Sequence, residues 1–512
     1  MTTLGKADGP LTGSAPAPAA PEVANTGAGE PDPRRWWALA VIAVAQLMVV
    51  LDASIVTIAL PSAQQALGIS DANRQWVVTA YTLAFGGLLL LGGRIADYTG
   101  RKRVFIIGLI GFAAASGLGG AAQNGGELYA ARALQGLFAA LLAPAALSLI
   151  SITFTDPKER STAFGVYGGI SGGGAAIGLI VGGLLTEYAS WRWCLLVNIP
   201  IAVFTALAAV RTVKESKAHG NTRYDIPGAA LVSTGLVALV YGFTEAAKPG
   251  SGWTDTSTLS WLAAAVVLLI AFVVWESRSS HPLLPLRIVL DRNRGGTFLS
   301  SLLVGAGLFA MFLFLAYYMQ VNLGYSALKS GFAFLPFSVG IIIAAGVTSN
   351  LLPRIGPKPL LIVGGVMATV GLLYLVTITE TTSWTAHVLP AEILISLGIG
   401  AFFVTTASLA LTRIGEHDAG VASAMLNTTQ QIGGALGTAL LNTLFASAVT
   451  GYLVDHAAQG NNPKIATLAS IHGYHVAFAV GAGLIALATV IVALLVNADK
   501  DELNVEPGLA VA

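Results

Sequence analysis

Asp52 sits in Leu51-Asp52-Ala53-Ser54, deep inside the apolar run 36–60. A carboxylate away from water is costly, so an acid at that depth is a candidate for chemistry rather than for solubility. Such a group can take a proton from one side of a membrane and release it to the other. Arg132, in Arg132-Ala133-Leu134-Gln135-Gly136, lies inside the apolar run 128–150, and its guanidinium stays charged. Counted from the helix ends, both residues fall in the same half of the membrane, so an ion pair between them is geometrically open. Two roles for Asp52 follow. It is either a proton carrier whose affinity Arg132 modulates, or a structural acid that neutralises Arg132.

Other polar groups lie within apolar runs. Asn427, Thr428, Thr429, Gln430 and Gln431 are consecutive, and a polar run in lipid must face protein or a water-filled cavity. Gln46, Tyr81 and Tyr317 add amphipathic groups of the kind that would line a cavity for a bulky, amphipathic molecule, or that would pack helices together. Glu127 and Glu245 read as interfacial acids. Glu392 is about one turn deeper, and reads either as a transport group or as a solvated helix end. Residues 165–183 are rich in glycine, including Gly178, Gly182 and Gly183. No strand precedes them, so a phosphate-binding loop is a poor reading. Small residues at spacing four let helices approach closely and slide.

These groups need membrane helices to position them. A span takes about 20 mostly apolar residues, and fourteen stretches qualify: 36–60, 75–96, 104–122, 128–150, 162–186, 194–211, 226–245, 259–275, 295–318, 331–352, 360–378, 388–411, 421–447 and 476–497. An even number puts both termini on one side. With the termini cytoplasmic, 21 Lys and Arg fall inside and 5 outside, with Arg132 in a span. That bias follows the positive-inside rule and predicts cytoplasmic termini; the expected location is a bacterial inner membrane. Residues 1–33 and 498–512 read as disordered tails, and 450–475 as a long outer loop.

Composition excludes several classes. Of 512 residues, 55% are apolar and 10% charged, with a mean hydropathy of +0.73; a soluble chain carries about 25% charge. A net charge of +1 gives nucleic-acid binding no support. The single cysteine, Cys194, rules out an internal disulfide or a cysteine-built metal site. No P-loop signature is present, and no metal or other cofactor is expected.

Several motifs then point to a family. Gly93-Arg94-Ile95-Ala96-Asp97-Tyr98-Thr99-Gly100-Arg101-Lys102 closely resembles the loop signature of the major facilitator superfamily. Leu51-Asp52 through Ala59-Leu60-Pro61 resembles the first span of its fourteen-span drug:proton antiporters of the EmrB/QacA type. Arg132 with Gln135-Gly136 is similar to that branch's fourth span. Trp191-Arg192-Trp193 with Asn198-Ile199-Pro200, and Gly420 through Gly437, are similar to further marks of it. In the fifth-span signature, Leu179 stands where the family has proline, ahead of Gly182-Gly183.

The resemblance implies an all-α fold of two six-helix halves, 34–211 and 295–497, with an extra pair of spans in 212–294 between them. It implies alternating access, with Asp52 and Arg132 in proton coupling and Gly93, Asp97, Gly100 and Arg101 in a cytoplasmic gate. Asp97 is expected to cap the thirteenth span and pair with Arg101, locking the halves on the inside. The expected function is proton-driven efflux of drugs or antibiotics, with no enzymatic step; a metabolite carrier or a non-transporting sensor on the same fold is the alternative. A monomer is expected, with a dimer open. One proton entering gains about 2.3 kcal/mol per 100 mV and about 1.4 per pH unit, enough for roughly several-hundred-fold accumulation.

Overall fold

In lipid each backbone N–H and C=O needs an internal partner, so apolar runs of this length fold as helices. The computed structural model describes residues 33–498 apart from 155, 218–223, 249, 281, 285, 413–415 and 458–461. The expected tails therefore lie almost wholly outside the described residues. The first half holds α1 (Arg35–Leu67), α2 (Trp76–Thr99), α3 (Arg101–Ala121), α4 (Gly125–Thr153) and α5 (Pro157–Tyr188). It ends in α6 (Trp193–Thr212), which turns at Val197. The extra pair is α7 (Ile226–Ala246) and α8 (Thr256–Arg278). The second half holds α9 (Arg292–Tyr317), α10 (Ala327–Ile355), α11 (Pro357–Leu375), α12 (Leu389–Leu411), α13 (Glu416–Asp455) and α14 (Pro463–Leu495).

Among the described residues, thirteen helices are long and apolar enough to cross a membrane. The helix α5 supplies the remaining expected stretch. It runs unbroken for 32 residues, so Leu179 in place of proline leaves no break. Side chains of Asn124, Asp225, Asp255, Asp291 and Ser326 cap helix N-termini, which satisfies amide groups that the helix itself cannot.

The two halves repeat one packing scheme. In the first, α4 packs on α2 and α3, α1 on α5 and α6, and α3 on α6. In the second, α12 packs on α10 and α11, α9 on α13 and α14, and α11 on α14. Between halves, α2 meets α13 while α5 meets α10, again as a matched pair. The extra helices do not separate the halves. The helix α7 lies along the α2–α13 seam, and α8 packs chiefly on α7 and is the least buried of the candidate spans.

The helices exceed their apolar runs, which corrects the expected loop at 450–475. The helix α13 continues to Asp455 and α14 starts at Pro463, so His472 and His475 are helical. The His475 ring nitrogen Nε2 contacts the Ile378 carbonyl at 2.6 Å.

Arg35 and Leu495 mark what is called here the terminal face of the bundle; the opposite end is the far face. One buried cluster joins the halves toward the far face, with Ile55, Ile58 and Leu179 packed in the same core as Met311, Leu315 and Phe334. A second cluster, around Ala38, Phe105 and Leu149, belongs to the first half alone.

Candidate functional site

Asp52 and Arg132 meet in the interior of the first half. Both are buried, at 0% and 1% exposure. Arg132 Nη1 donates to Asp52 Oδ2 at 2.6 Å, a charge-assisted hydrogen bond. The second carboxylate oxygen, Oδ1, accepts from Gln135 Nε2 at 2.9 Å and from Asn198 Nδ2 at 2.8 Å. Both amides also donate to Ser116 Oγ, at 2.6 Å and 3.0 Å. Arg132 is held in turn by the Val77 carbonyl at 3.0 Å and Gln135 Oε1 at 2.8 Å, and its guanidinium lies 4.4 Å from the Tyr81 ring centre.

Five helices thus join one network around this carboxylate of α1: α4 and α6 supply its donors, and α2 and α3 hold those donors in turn. Three amide or guanidinium donors hold the carboxylate. Sequence reasoning placed the Asp52–Arg132 pair but missed its other ligands. Asn198 and Gln135 stood in quoted motifs, so a polar side chain beside a helix turn was the available signal. Ser116 carried none.

The glycines of α5 lie beside this site. A side chain on Gly178 would strike Ser54 Oγ and sit 3.0 Å from the Leu51 carbonyl, and one on Gly182 would sit 3.0 Å from Ile55 Cα. Both let α5 press against the Asp52 segment of α1. Gly183 points the other way, where a Cβ would lie 2.6 Å from Leu328 Cα of α10. It permits the close approach of the two halves.

At the terminal face, Asp97 Oδ1 accepts from Arg101 Nε at 2.8 Å. Gly100 takes φ +126°, a conformation that favours glycine. This turn sets the Lys102 and Arg103 amides on the Glu215 carboxylate, each at 3.1 Å. Glu215 is a cap that the sequence reading did not find. Gly93 sits 3.4 Å from Pro144 of α4 by the same Cβ measure. The expected cap of α13 by Asp97 falls against 413–420, whose side chains lie outside the described residues.

The residues expected to line a substrate cavity are not brought together. Gln46 accepts from Tyr167 at 2.6 Å. Tyr81 lies under Arg132, and Gln431 packs on Gly86 of α2. Asn427 is exposed and donates to the Ser423 carbonyl of its own helix at 3.1 Å. Tyr317 donates to Gln64 of α1 and lies under Arg74, 4.2 Å from its ring centre. Glu392 corrects the solvated reading: it is fully buried, and among the described residues neither carboxyl oxygen has a partner. A π turn, Trp384–Val388, extends α12 by a turn and draws Glu392 into the packing of α12 against α10 and α11. Glu245 likewise is buried, and it pairs with Lys248.

Toward the far face, side-chain hydrogen bonds tie the two halves together. Asn442 of α13 is their hub. It accepts from Arg74 Nε at 3.0 Å and donates to the Asp71 carbonyl at 2.9 Å and Gln75 Oε1 at 2.7 Å. Gln320 Nε2 donates to the Ile58 carbonyl at 3.1 Å, and Glu187 accepts the Leu328 amide at 3.1 Å. This is a conformation closed at the far face. Asn442→Ala removes three bonds and should cost the closed state about 2 kcal/mol, about thirtyfold in a two-state equilibrium. Spin-label distances across the far face should lengthen; an unchanged distribution would refute the tie.

The comparisons with known proteins agree with this architecture. The family profile of the Major Facilitator Superfamily matches residues 42–438. The chain is 50% identical over 471 residues to the puromycin resistance protein of Streptomyces alboniger, covering 91% of this chain and 92% of the relative. It is 37% identical to the cephamycin export protein of Amycolatopsis lactamdurans, over 81% of this chain and 86% of the relative. Among solved structures, a bacterial homologue of the human lysosomal transporter Spinster, in an inward-facing unoccupied conformation, superposes with TM-score 0.64. It covers 92% of this chain and 98% of its own at 15% identity, a likeness of fold. With two matched halves of six helices and an extra pair among the described residues, and with these relatives, the chain is a multi-pass membrane protein that belongs to the Major Facilitator Superfamily.

Proposed function

We propose that the protein exports an amphipathic antibiotic from the cytoplasm in exchange for protons, by alternating access between its two halves. The carrying observation is Asp52, buried on Arg132 at 2.6 Å between five helices. A carboxylate so placed changes its bond to Arg132 when it binds a proton, since the neutral acid loses its charge and turns one accepting oxygen into an O–H donor. Protonation therefore couples to how tightly α1 is held against α4. The relatives at 50% and 37% identity, one named for puromycin resistance and one for cephamycin export, support the substrate class. The 21 to 5 distribution of basic residues supports cytoplasmic termini. The terminal face is then cytoplasmic, and the closed far face makes this the inward-facing state.

Inverted membrane vesicles test the reading. They are energised, and a pH-sensitive dye is followed on addition of puromycin, cationic dyes and neutral antibiotics. The expected result is substrate-dependent proton efflux from the vesicle lumen for at least one compound. No response across the panel would overturn the export reading in favour of a metabolite carrier or a sensor.

Asp97 has a separable part. It holds Arg101 at the terminal face, where the halves must close to complete the cycle. Asp97→Asn should slow transport about tenfold while substrate binding, read by fluorescence quenching, stays unchanged. Loss of binding in the variant would remove Asp97 from the gate.

A further inference from the structure

At the terminal end of the extra helix pair, two carboxylic acids meet, with no cation paired to either among the described residues. Asp225 Oδ1 accepts the Gly228 amide at 2.9 Å and the Trp275 indole N–H at 2.7 Å. Glu276 of α8 accepts the Leu284 amide on Oε2 at 3.0 Å. The residues are 7% and 3% exposed. Each acid thus has one satisfied oxygen and one without a donor, Asp225 Oδ2 and Glu276 Oε1. The two orphaned oxygens face one small space: a Cβ on Gly228 would lie 2.7 Å from the first and 2.6 Å from the second. Among the described residues neither acid has an ion-pair partner.

Among the described residues, the surrounding charged and titratable groups do not supply the missing donor. On α2, Arg94 spends Nη2 on the Pro282 carbonyl at 3.1 Å, and Tyr98 stacks edge-on against Tyr224 at 6.3 Å. Arg278 of α8 is exposed. The helix α13 meets α7 through Ala435 and Ala439 beside Leu236 and Val240, and through Thr443 Oγ1, which donates to the Phe243 carbonyl at 2.7 Å. Two ionised carboxylates cannot share such a site, whereas one proton between them turns repulsion into a strong O–H to carboxylate hydrogen bond. A calcium ion would need six or more oxygens; here two are free and the other two are already bonded to N–H groups.

The segment following α8 gives the pair something to control. Leu284, Ile288 and Val289 pack with Phe298 of α9, Met425 and Leu426 of α13, and Leu90 of α2. This strap crosses the seam between the halves at the terminal face. It is pinned by Glu276 on Leu284 and by Arg94 on Pro282.

We propose that Asp225 and Glu276 hold one proton between them, forming a pH-responsive clamp on the strap, separate from Asp52. With the proton bound, Glu276 stays on the Leu284 amide. As pH rises and the proton leaves, the two like charges part, Glu276 swings away and the strap loosens. That the clamp senses cytoplasmic pH rests on the orientation proposed above; the sharing of the proton does not.

The test uses the full chain in lipid nanodiscs, with hydrogen exchange at the strap measured from about pH 5 to pH 9 and corrected for intrinsic base catalysis. Wild type should lose about tenfold in protection at the Leu284 amide as pH rises, the loss of one hydrogen bond. Glu276→Gln and Asp225→Asn each place an N–H donor where the proton sits, so either variant should stay protected throughout. Asp52→Asn should keep the wild-type step, which separates this site from the coupling site and from failure of the export reading. A wild-type profile without a step overturns the proposal, as does a step that persists in both amide variants. So does a wild-type step abolished by magnesium, which would make the site a cation site. If one amide variant fails to fold, the other and the wild-type profile decide.

Discussion

Asp52→Asn should leave a folded protein in which substrate movement no longer follows the proton gradient. The asparagine keeps one carbonyl oxygen for the Gln135 and Asn198 amides, which reach Asp52 Oδ1 at 2.9 Å and 2.8 Å. Its own NH2 then faces Arg132 Nη1, donor against donor, where the carboxylate accepted at 2.6 Å. The cost is about 1–3 kcal/mol for an unsatisfied buried group, which a bundle of this size absorbs. What disappears is the titratable oxygen. In inverted vesicles, substrate-dependent dye dequenching should fall to background, and accumulation should drop from roughly several-hundred-fold to parity. Downhill equilibration of substrate should persist, since the rocking of the halves does not require a charge at this position. Dequenching that survives would move the coupling proton elsewhere, with the unpartnered Glu392 the next candidate.

Arg132→Ala should be far more damaging to the fold. Its guanidinium touches three groups through hydrogen bonds, Asp52, Gln135 and the Val77 carbonyl, and covers the Tyr81 ring. Removal leaves a buried carboxylate with no cation, and breaking a buried pair from one side costs about 3–5 kcal/mol. Thermal unfolding in detergent should shift down by several degrees, with reduced yield. Asp52→Asn combined with Arg132→Ala should cost less than Arg132→Ala alone, because no ion is left unpaired. Equal stability of Arg132→Ala and wild type would show that Asp52 does not depend on Arg132 as an ion partner.

The membrane class and the number of helical stretches were legible in the residues. Hydropathy averaged over about 20 positions reports how long a segment avoids water, and that is a local property. The Asp52–Arg132 pair was legible as well, because two opposite charges at matching depth have few other ways to be satisfied. The far-face hub was not. Arg74 reads as an ordinary loop cation, and Asn442 as one polar residue in an apolar helix; their meeting depends on the packing of α2 against α13, 368 positions apart in the chain. Helix ends were also hidden. Polar residues such as His472 and His475 continue α14 beyond its apolar run, because a helix outside the hydrocarbon core still satisfies its own backbone.

What the sequence alone determined is therefore one-dimensional: fourteen apolar stretches, a charge bias across them, and acids at stated depths. Tertiary structure decided which groups each acid faces. It put Asp52 under three donors, left Glu392 with none, and turned Asp225 and Glu276, 51 positions apart, toward each other. It also drew the presumed cavity residues into separate contacts. The reason is physical: depth in the membrane follows from a residue's own segment, whereas its lateral neighbours follow from which helices pack together, and that packing is set by small residues and side-chain shapes scattered over the whole chain.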